Sequence, residues 1–296
     1  MPIFHAIVLG ITQGLTEFFP VSSSGHLEVI PWFFQWNHFA GDSRMENTFD
    51  VALHLGTLTG LLAVLWQDVR VYSRAGLRAL TGRQPWTAEA KIAWMLLLSA
   101  IPAAVTAIAF EQFLLEQSSR IGLIAGGLAV FGLLLWIVDS RSKTVRWERE
   151  FSGQDAVKMG MAQSLALLPG VSRSGITITV ARMMGYDRQR AARLVFLMGI
   201  PIIAGAGLYR CYGVLSEGLP PGMWPALIAG TLTATLTGWS ALRITLRWVQ
   251  SHTYAGFAIY RVILAAGVMV VLYLSLIHIS EPTRRTPISY AVFCLK

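Results

Sequence analysis

The sequence predicts an all-α polytopic membrane protein, arranged as an inverted-topology repeat in which each half contains one re-entrant helix hairpin and three transmembrane helices. The first observation is composition, because 54% of the residues are hydrophobic and only 14% are charged. The second is a pair of apolar segments that are each interrupted by a short polar stretch. The third is that these two stretches share residues at a constant spacing. We therefore expect one integral membrane domain at residues 1–273, with repeat halves at about 1–140 and 150–273.

The first interrupted segment, residues 3–36, has its polar centre at residues 13–26. Pro20 and the Ser-Ser-Ser-Gly sequence that follows it break any continuous helix. Each arm is then about 15 residues long, which is short of the ~20 residues that a membrane-spanning helix needs. A re-entrant hairpin fits better, provided that the break is buried in protein or faces a wet cavity. We expect a function for Glu17 and His26, because ionisable groups are costly at lipid depth.

The second interrupted segment lies 150 positions later, with Arg173 in the place of Ser23. Corresponding breaks in two halves are the sequence sign of an internal repeat with its site at the repeat interface. An alternative is that small and hydroxyl residues only help helices to pack in lipid. That alternative leaves Glu17 and Arg173 unexplained. The matching pairs are Gly10 and Gly160, Gln13 and Gln163, Ser22 and Ser172, Ser24 and Ser174, and Gly25 and Gly175.

Apolar runs of about 18 residues predict six spans between and after the two hairpins. An amphipathic helix, Val69–Leu80, has arginines on one face and is expected to lie at the membrane surface. The hairpins are expected at about 3–36 and 155–185, and the spans at 49–66, 92–110, 121–138, 194–211, 223–242 and 256–273.

The basic residues indicate the orientation in the membrane. Three spans separate the hairpins, and this odd number makes the hairpins enter from opposite sides, so that their tips can meet. The formal charge of +8 reflects this loop bias and does not predict a nucleic-acid partner. Cys211 and Cys294 cannot form a disulfide framework or a thiol metal site. The loops that we place in the cytoplasm, because they hold most of the Lys and Arg, are 67–91, 139–158, 182–193 and 243–252.

Residues 274–296 are expected not to belong to the native protein. The strings Leu274–Arg284 and Ile288–Lys296 resemble the conceptual translation of sequencing-adapter DNA. Two prolines and paired arginines occur soon after an apolar span, and they disfavour a continued helix. We expect an extended tail with few contacts to the rest of the chain, and helix no further than Leu276 or Ile277.

The meeting hairpin tips predict a site for a phosphate-bearing lipid. Half-helix N-termini offer unpaired N–H donors to an anion, and Arg173 offers a planar fork to phosphate oxygens. Glu17 can hold a divalent cation or accept a proton, and His26 or a serine can serve as base or nucleophile. The tips would present Glu17, Ser22, Ser23, Ser24, His26, Ser172, Arg173, Ser174 and Thr177.

Each of these residues also has a structural interpretation. Glu17 and Arg173 could form a buried ion pair that only fixes the two halves. His26 could donate to a backbone carbonyl, and the hydroxyl groups could cap the hairpin tips. Asp50 and His54, which face alike on a helix, would support the site. Arg261 in the last span would pair internally or with a carbonyl. The sequence assigns no function to that arginine.

Two motifs give the chain a resemblance to a known family. Gln13-x-x-x-Glu17 followed by Phe-Phe-Pro-Val-Ser-Ser-Ser-Gly-His26, together with Leu168-Pro-Gly-Val-Ser-Arg-Ser-Gly-Ile-Thr177, resembles the bacterial undecaprenyl-diphosphate phosphatases of the bacitracin-resistance type. The resemblance implies cation-dependent hydrolysis of undecaprenyl diphosphate to the monophosphate lipid carrier and inorganic phosphate. It further implies a multi-pass protein of the bacterial inner membrane that recycles the carrier for cell-wall synthesis and confers bacitracin resistance.

By position, the resemblance implies that Glu17 and Arg173 are the key acidic and arginine residues, and that Ser23 and His26 are the other catalytic residues. Whether Ser23 or His26 is the nucleophile stays open. Glu17 would be the main ligand of Mg²⁺ or Ca²⁺, since Gln13 stands where many members carry a glutamate. The expected substrate-binding residues are Gln13, Ser22, Ser24, Ser172, Ser174 and Thr177.

A second class of function shares this architecture. Inverted repeats with broken helices also build secondary transporters and lipid flippases. Release of phosphate from a prenyl diphosphate by detergent-solubilised protein, without any gradient, separates the two classes. The sequence is compatible with a homodimer but does not fix the oligomeric state.

Overall fold

A computed structural model describes residues 1–39, 42–144, 146–219 and 222–280. These ranges contain twelve α-helices, one short 3-10 helix and no β-strand, which confirms the predicted all-α class. The first half holds α1 (Ile3–Phe18), α2 (Ser23–Phe34), α3 (Ser43–Val64), α4 (Trp66–Leu80), α5 (Ala88–Ala109), α6 (Glu111–Ser118) and α7 (Ile121–Arg141). The second half holds α8 (Gly153–Leu165), α9 (Arg173–Met183), α10 (Arg188–Glu217), α11 (Trp224–Trp248) and α12 (Ala255–Ser280).

The helices are apolar enough for a multi-pass membrane protein. Among the described residues, α5, α7, α10 and α12 are long and apolar enough to cross a bilayer, and α3 with α4 adds a fifth candidate span. α3 and α4 meet at an angle of 84° at Leu65, which agrees with a surface helix after a span. α3 and α11 carry more polar residues than the other long helices. They can do so because they pack against each other and against α1.

Both predicted helix breaks are present, and each ends in the same kind of serine turn. α1 ends at Phe18 and α2 begins at Ser23, while α8 ends at Leu165 and α9 begins at Arg173. Ser22 and Ser172 precede the second arms with φ of 78° and 71°, a region that residues other than glycine rarely adopt. The Ser22 Oγ accepts from the Gly25 N–H, and the Ser172 Oγ accepts from the Gly175 N–H, so each serine caps its helix. We call residues 19–22 and 166–172 the first and second breaks.

The two halves pack by exchanging their hairpin arms. α1 lies along α11 of the second half, and α8 lies along α5 of the first half. The third long helices, α7 and α12, pack against each other. The core between the two halves includes Phe18 of α1 and Phe196 of α10, whose rings meet edge to face with centroids 5.6 Å apart. This contact fixes the end of α1 against α10, directly beside Glu17.

Two expectations of local structure are wrong. Residues 111–120, expected only as a connection between the spans at 92–110 and 121–138, contain the helix α6, because Glu111, Gln112, Leu114 and Leu115 are good helix formers. The last helix, α12, runs to Ser280 and not to Ile277, since the residues up to the first proline of the tail are mostly apolar and permit a helix. The rest of the predicted tail, 281–296, lies outside the described residues.

Candidate active site

Glu17 is the centre of the site and lies in the last turn of α1. Its side chain is only 5% exposed. Its Oε2 accepts from the Ser23 Oγ at 2.7 Å and from the Gln13 Nε2 at 3.1 Å. Its Oε1 accepts from Arg173 Nη2 at 2.7 Å. The carboxylate of one half therefore meets the arginine of the other half, as the repeat predicted.

The Arg173 side chain reaches Glu17 from the first turn of α9. Its guanidinium lies against Gly199 of α10, where an added Cβ would be only 2.6 Å from Nη1 and 2.9 Å from Nη2. Nη1 is buried and has no hydrogen-bond partner in the part of the chain that the structure describes. Because an unpaired buried donor is costly, this arginine has capacity for an anion beyond its ion pair with Glu17.

A cavity of about 220 Å³ opens beside this pair. Its walls are contributed by the arms of both hairpins, by the second break, and by α3, α5 and α10. One part of the wall is polar and is formed by Glu17, Ser23, Ser24, His54, Gln163, Ser172 and Arg173. The other part is apolar and is formed by Val51, Ala103, Ala166, Leu167, Ile202, Ile203 and Ala206. A ligand with a charged head and an apolar chain suits this lining.

His54 comes closer to the reactive groups than the sequence predicted. Its Nε2 lies 3.5 Å from the Glu17 Oε2 and lines the cavity. Its Nδ1 lies 2.8 Å from the Asp50 carbonyl oxygen, which assigns the ring proton to Nδ1. The Asp50-x-x-x-His54 spacing was a signal of a supporting role, but the sequence did not reveal the approach to Glu17. Gln163, noted only as a repeat match, also lines the cavity.

His26 does not line the cavity. Its Nδ1 lies 2.7 Å from the Ser22 carbonyl oxygen, and its Nε2 lies 2.8 Å from the Tyr260 hydroxyl on α12. The two rings are nearly parallel, with centroids 5.7 Å apart. Both ring nitrogens are therefore occupied, and the interpretation of His26 as a donor to a backbone carbonyl matches these contacts.

The predicted substrate-binding residues occupy different places. Ser24 and Ser172 line the cavity, whereas Ser22 and Ser174 are buried beside it, Ser174 with its Oγ 3.4 Å from the Glu17 carbonyl oxygen. Gln13 and Thr177 are also buried. Within the described ranges, the Oε1 of Gln13 and the Oγ1 of Thr177 have no hydrogen-bond partner.

The fold and the site define a multi-pass helical membrane protein with an acid–arginine–serine site between two broken helices. The family model described as "Bacitracin resistance protein BacA" matches residues 6–267. The chain therefore belongs to the BacA bacitracin resistance family.

Curated relatives agree with this assignment. The "Undecaprenyl-diphosphatase" of Pelotomaculum thermopropionicum is 39% identical over 91% of this chain and 97% of its own. That of Moorella thermoacetica is 39% identical over 93% and 99% of the two chains. That of Thermomicrobium roseum is 37% identical over 93% of this chain and 99% of its own.

Proposed function

We propose that this protein hydrolyses undecaprenyl diphosphate to undecaprenyl phosphate and inorganic phosphate. The observation that carries the proposal is the unsatisfied polar capacity at the site. Three buried polar atoms that have no hydrogen-bond partner among the described residues, on Gln13, Arg173 and Thr177, belong to the two hairpins that meet at Glu17. Native proteins leave few such atoms unpaired, and functional sites are one of the places where they occur. The name carried by the relatives favours this phosphatase over a transporter or flippase.

The amphipathic cavity supports the choice of substrate. The diphosphate would lie at the polar wall near Arg173 and the first N–H groups of α2 and α9, which attract anions. The prenyl chain would leave along the apolar wall, where Ile202 and Ile203 of α10 lie. Ser24 and Ser172 would donate to phosphate oxygens.

The geometry supports Ser23 as nucleophile and Glu17 as its base. The Ser23 Oγ would form a bond to the terminal phosphorus and pass its proton to Glu17, 2.7 Å away. The anhydride P–O bond would break, and undecaprenyl phosphate would leave. Water would then release inorganic phosphate from the serine. Arg173 would stabilise the charge that develops on the transferring phosphoryl group.

A divalent cation, Mg²⁺ or Ca²⁺, fits the donor set and stays part of the proposal. Such cations bind oxygen ligands and often use one or two carboxylates together with substrate phosphates. Glu17 and the unpaired Gln13 Oε1 would hold it. When bound, it would neutralise charge on the diphosphate.

We further propose the inverted repeat and its position in the bacterial inner membrane. The matched serine turns at Ser22 and Ser172, and the reciprocal packing of α1 on α11 and α8 on α5, support a repeat. The exposed apolar side chains of α7, α10 and α12 support contact with lipid. The functional domain would be 1–273. A chain truncated after Tyr273 should therefore retain full activity, and loss of activity would mark the tail as native.

Phosphate release tests the proposed function. Purified protein in detergent, with Mg²⁺ or Ca²⁺ and without any gradient, should release inorganic phosphate from a prenyl diphosphate. Removal of the cation with a chelator should stop the reaction. Absence of phosphate release from folded protein would refute the proposal and favour the alternative that the protein is a transporter or flippase.

A further inference from the structure

Two consecutive residues of α12 lie beside the breaks: Arg261 contacts both of them, and Tyr260 contacts His26 next to the first. Arg261 is fully buried and lies close to Gly132 and Gly175, where an added Cβ would approach the arginine side chain to 3.1 and 2.7 Å. Because these two glycines of α7 and α9 lack a side chain, they leave room for the arginine.

Among the described residues, the guanidinium of Arg261 donates to backbone carbonyls and not to a carboxylate. Nη2 lies 3.0 Å from the Gly170 oxygen and 2.9 Å from the Val171 oxygen, both in the second break. Nη1 lies 3.4 Å from the Pro20 oxygen in the first break. Carbonyls that leave the helical ladder need another donor when they are buried. Arg261 supplies it to both breaks at once, and its bonds to Gly127 and Leu128 fix it to α7.

Tyr260 acts on the first break through His26. With the Nδ1 proton donated to the Ser22 oxygen, the Nε2 lone pair accepts from the Tyr260 hydroxyl. Ser22 is the residue held at φ 78°, and Ser23 directly follows it. A chain of two hydrogen bonds thus runs from α12 to the turn that presents the proposed nucleophile.

We propose that Tyr260 and Arg261 are positioning residues that hold the two serine turns in their reactive geometry, and that His26 is the link to the first turn and not the nucleophile. The proposal rests on the proposed phosphatase function for its kinetic consequences. Such residues affect the chemical step more than substrate binding, because small displacements of reacting groups lower the rate.

Conservative variants at His26 separate positioning from catalysis. Asparagine places an N–H donor near the position of the histidine Nδ1 but gives up the bond to Tyr260, so His26→Asn should lower kcat about fivefold, as Tyr260→Phe does. His26→Ala should lose about 100-fold with KM changed less than threefold. Tyr260→Phe should lower kcat about fivefold alone, and not at all in the His26→Ala background, because it acts through that ring. If His26 is the nucleophile, asparagine and alanine will be equally inactive, and a trapped phosphohistidine will be found.

A second measurement does not depend on phosphatase activity. In a cysteine-free background, Ser24→Cys places a thiol on the cavity wall, next to the first break. Its rate of labelling in folded protein should change at least threefold with Tyr260→Phe, with His26→Asn or with Arg261→Lys. It should change less than twofold in the control Gly205→Ala, where an added Cβ meets nothing within 4 Å. Equal rates in all these variants would overturn the positioning role. If the labelling rates change as expected but the wild-type protein releases no phosphate, the positioning role is supported and only the proposed function is refuted.

Discussion

Replacement of Gly199 by alanine tests the importance of the position of Arg173. The added Cβ would lie 2.6 Å from Nη1 and 2.9 Å from Nη2. Normal contacts are near 3.5 Å, so the guanidinium must move by roughly 0.6 to 0.9 Å. It can move because it is the end of a flexible side chain, and the fold should therefore survive. The 2.7 Å bond to Glu17 would be lost or misaligned.

The expected cost follows from the strength of that bond. A charged hydrogen bond contributes about 1.5–3 kcal/mol, and each ~1.4 kcal/mol is tenfold in rate. Gly199→Ala should therefore lower kcat for phosphate release about 10- to 150-fold. Thermal unfolding in detergent should change little, since alanine also favours the helix. The control is Gly205→Ala on the same helix, where an added Cβ meets nothing within 4 Å. Wild-type turnover in Gly199→Ala would show that the guanidinium position does not matter.

Three further outcomes are expected. Glu17→Gln should abolish phosphate release without rescue by added Mg²⁺, because the carboxylate charge is needed, and near-normal turnover would contradict its role. Arg173→Lys should lower activity about 10- to 100-fold, because lysine lacks the planar fork, and an equally active variant would reduce the residue to a diffuse charge. In a cysteine-free background in intact cells, an impermeant thiol reagent should label a cysteine at Gly218 and spare one at Ser142, whereas the opposite pattern would invert the proposed topology.

Local features of the sequence predicted the breaks and their meeting. Pro20 and the serines after it predicted where α1 ends, because proline and capping residues act within one turn. The repeat predicted that Glu17 would meet Arg173, although 156 positions separate them. The adapter-like tail, in contrast, misled the prediction of the end of α12, because a helix depends on its local residues and not on their origin.

Contacts that depend on packing between distant helices were not predictable. Ser23 and His26 are three residues apart on α2 and should share a face. Ser23 points to Glu17, but His26 is turned to Tyr260, which comes from a helix 234 positions away. The approach of His54 to Glu17 similarly depends on how α3 packs beside α1. A single sequence without structure gives no register for such helix pairs.

The exchange of hairpin arms between the halves has a consequence for biogenesis. α1 leaves the ribosome first, but its packing partner α11 begins only at Trp224. At roughly 5–20 residues per second, the first hairpin waits about 10–40 s for that partner. During this interval a polar, broken segment must be tolerated by the insertion machinery. Insertion and quality-control factors should therefore influence the yield of this protein more than the stability of the finished fold does.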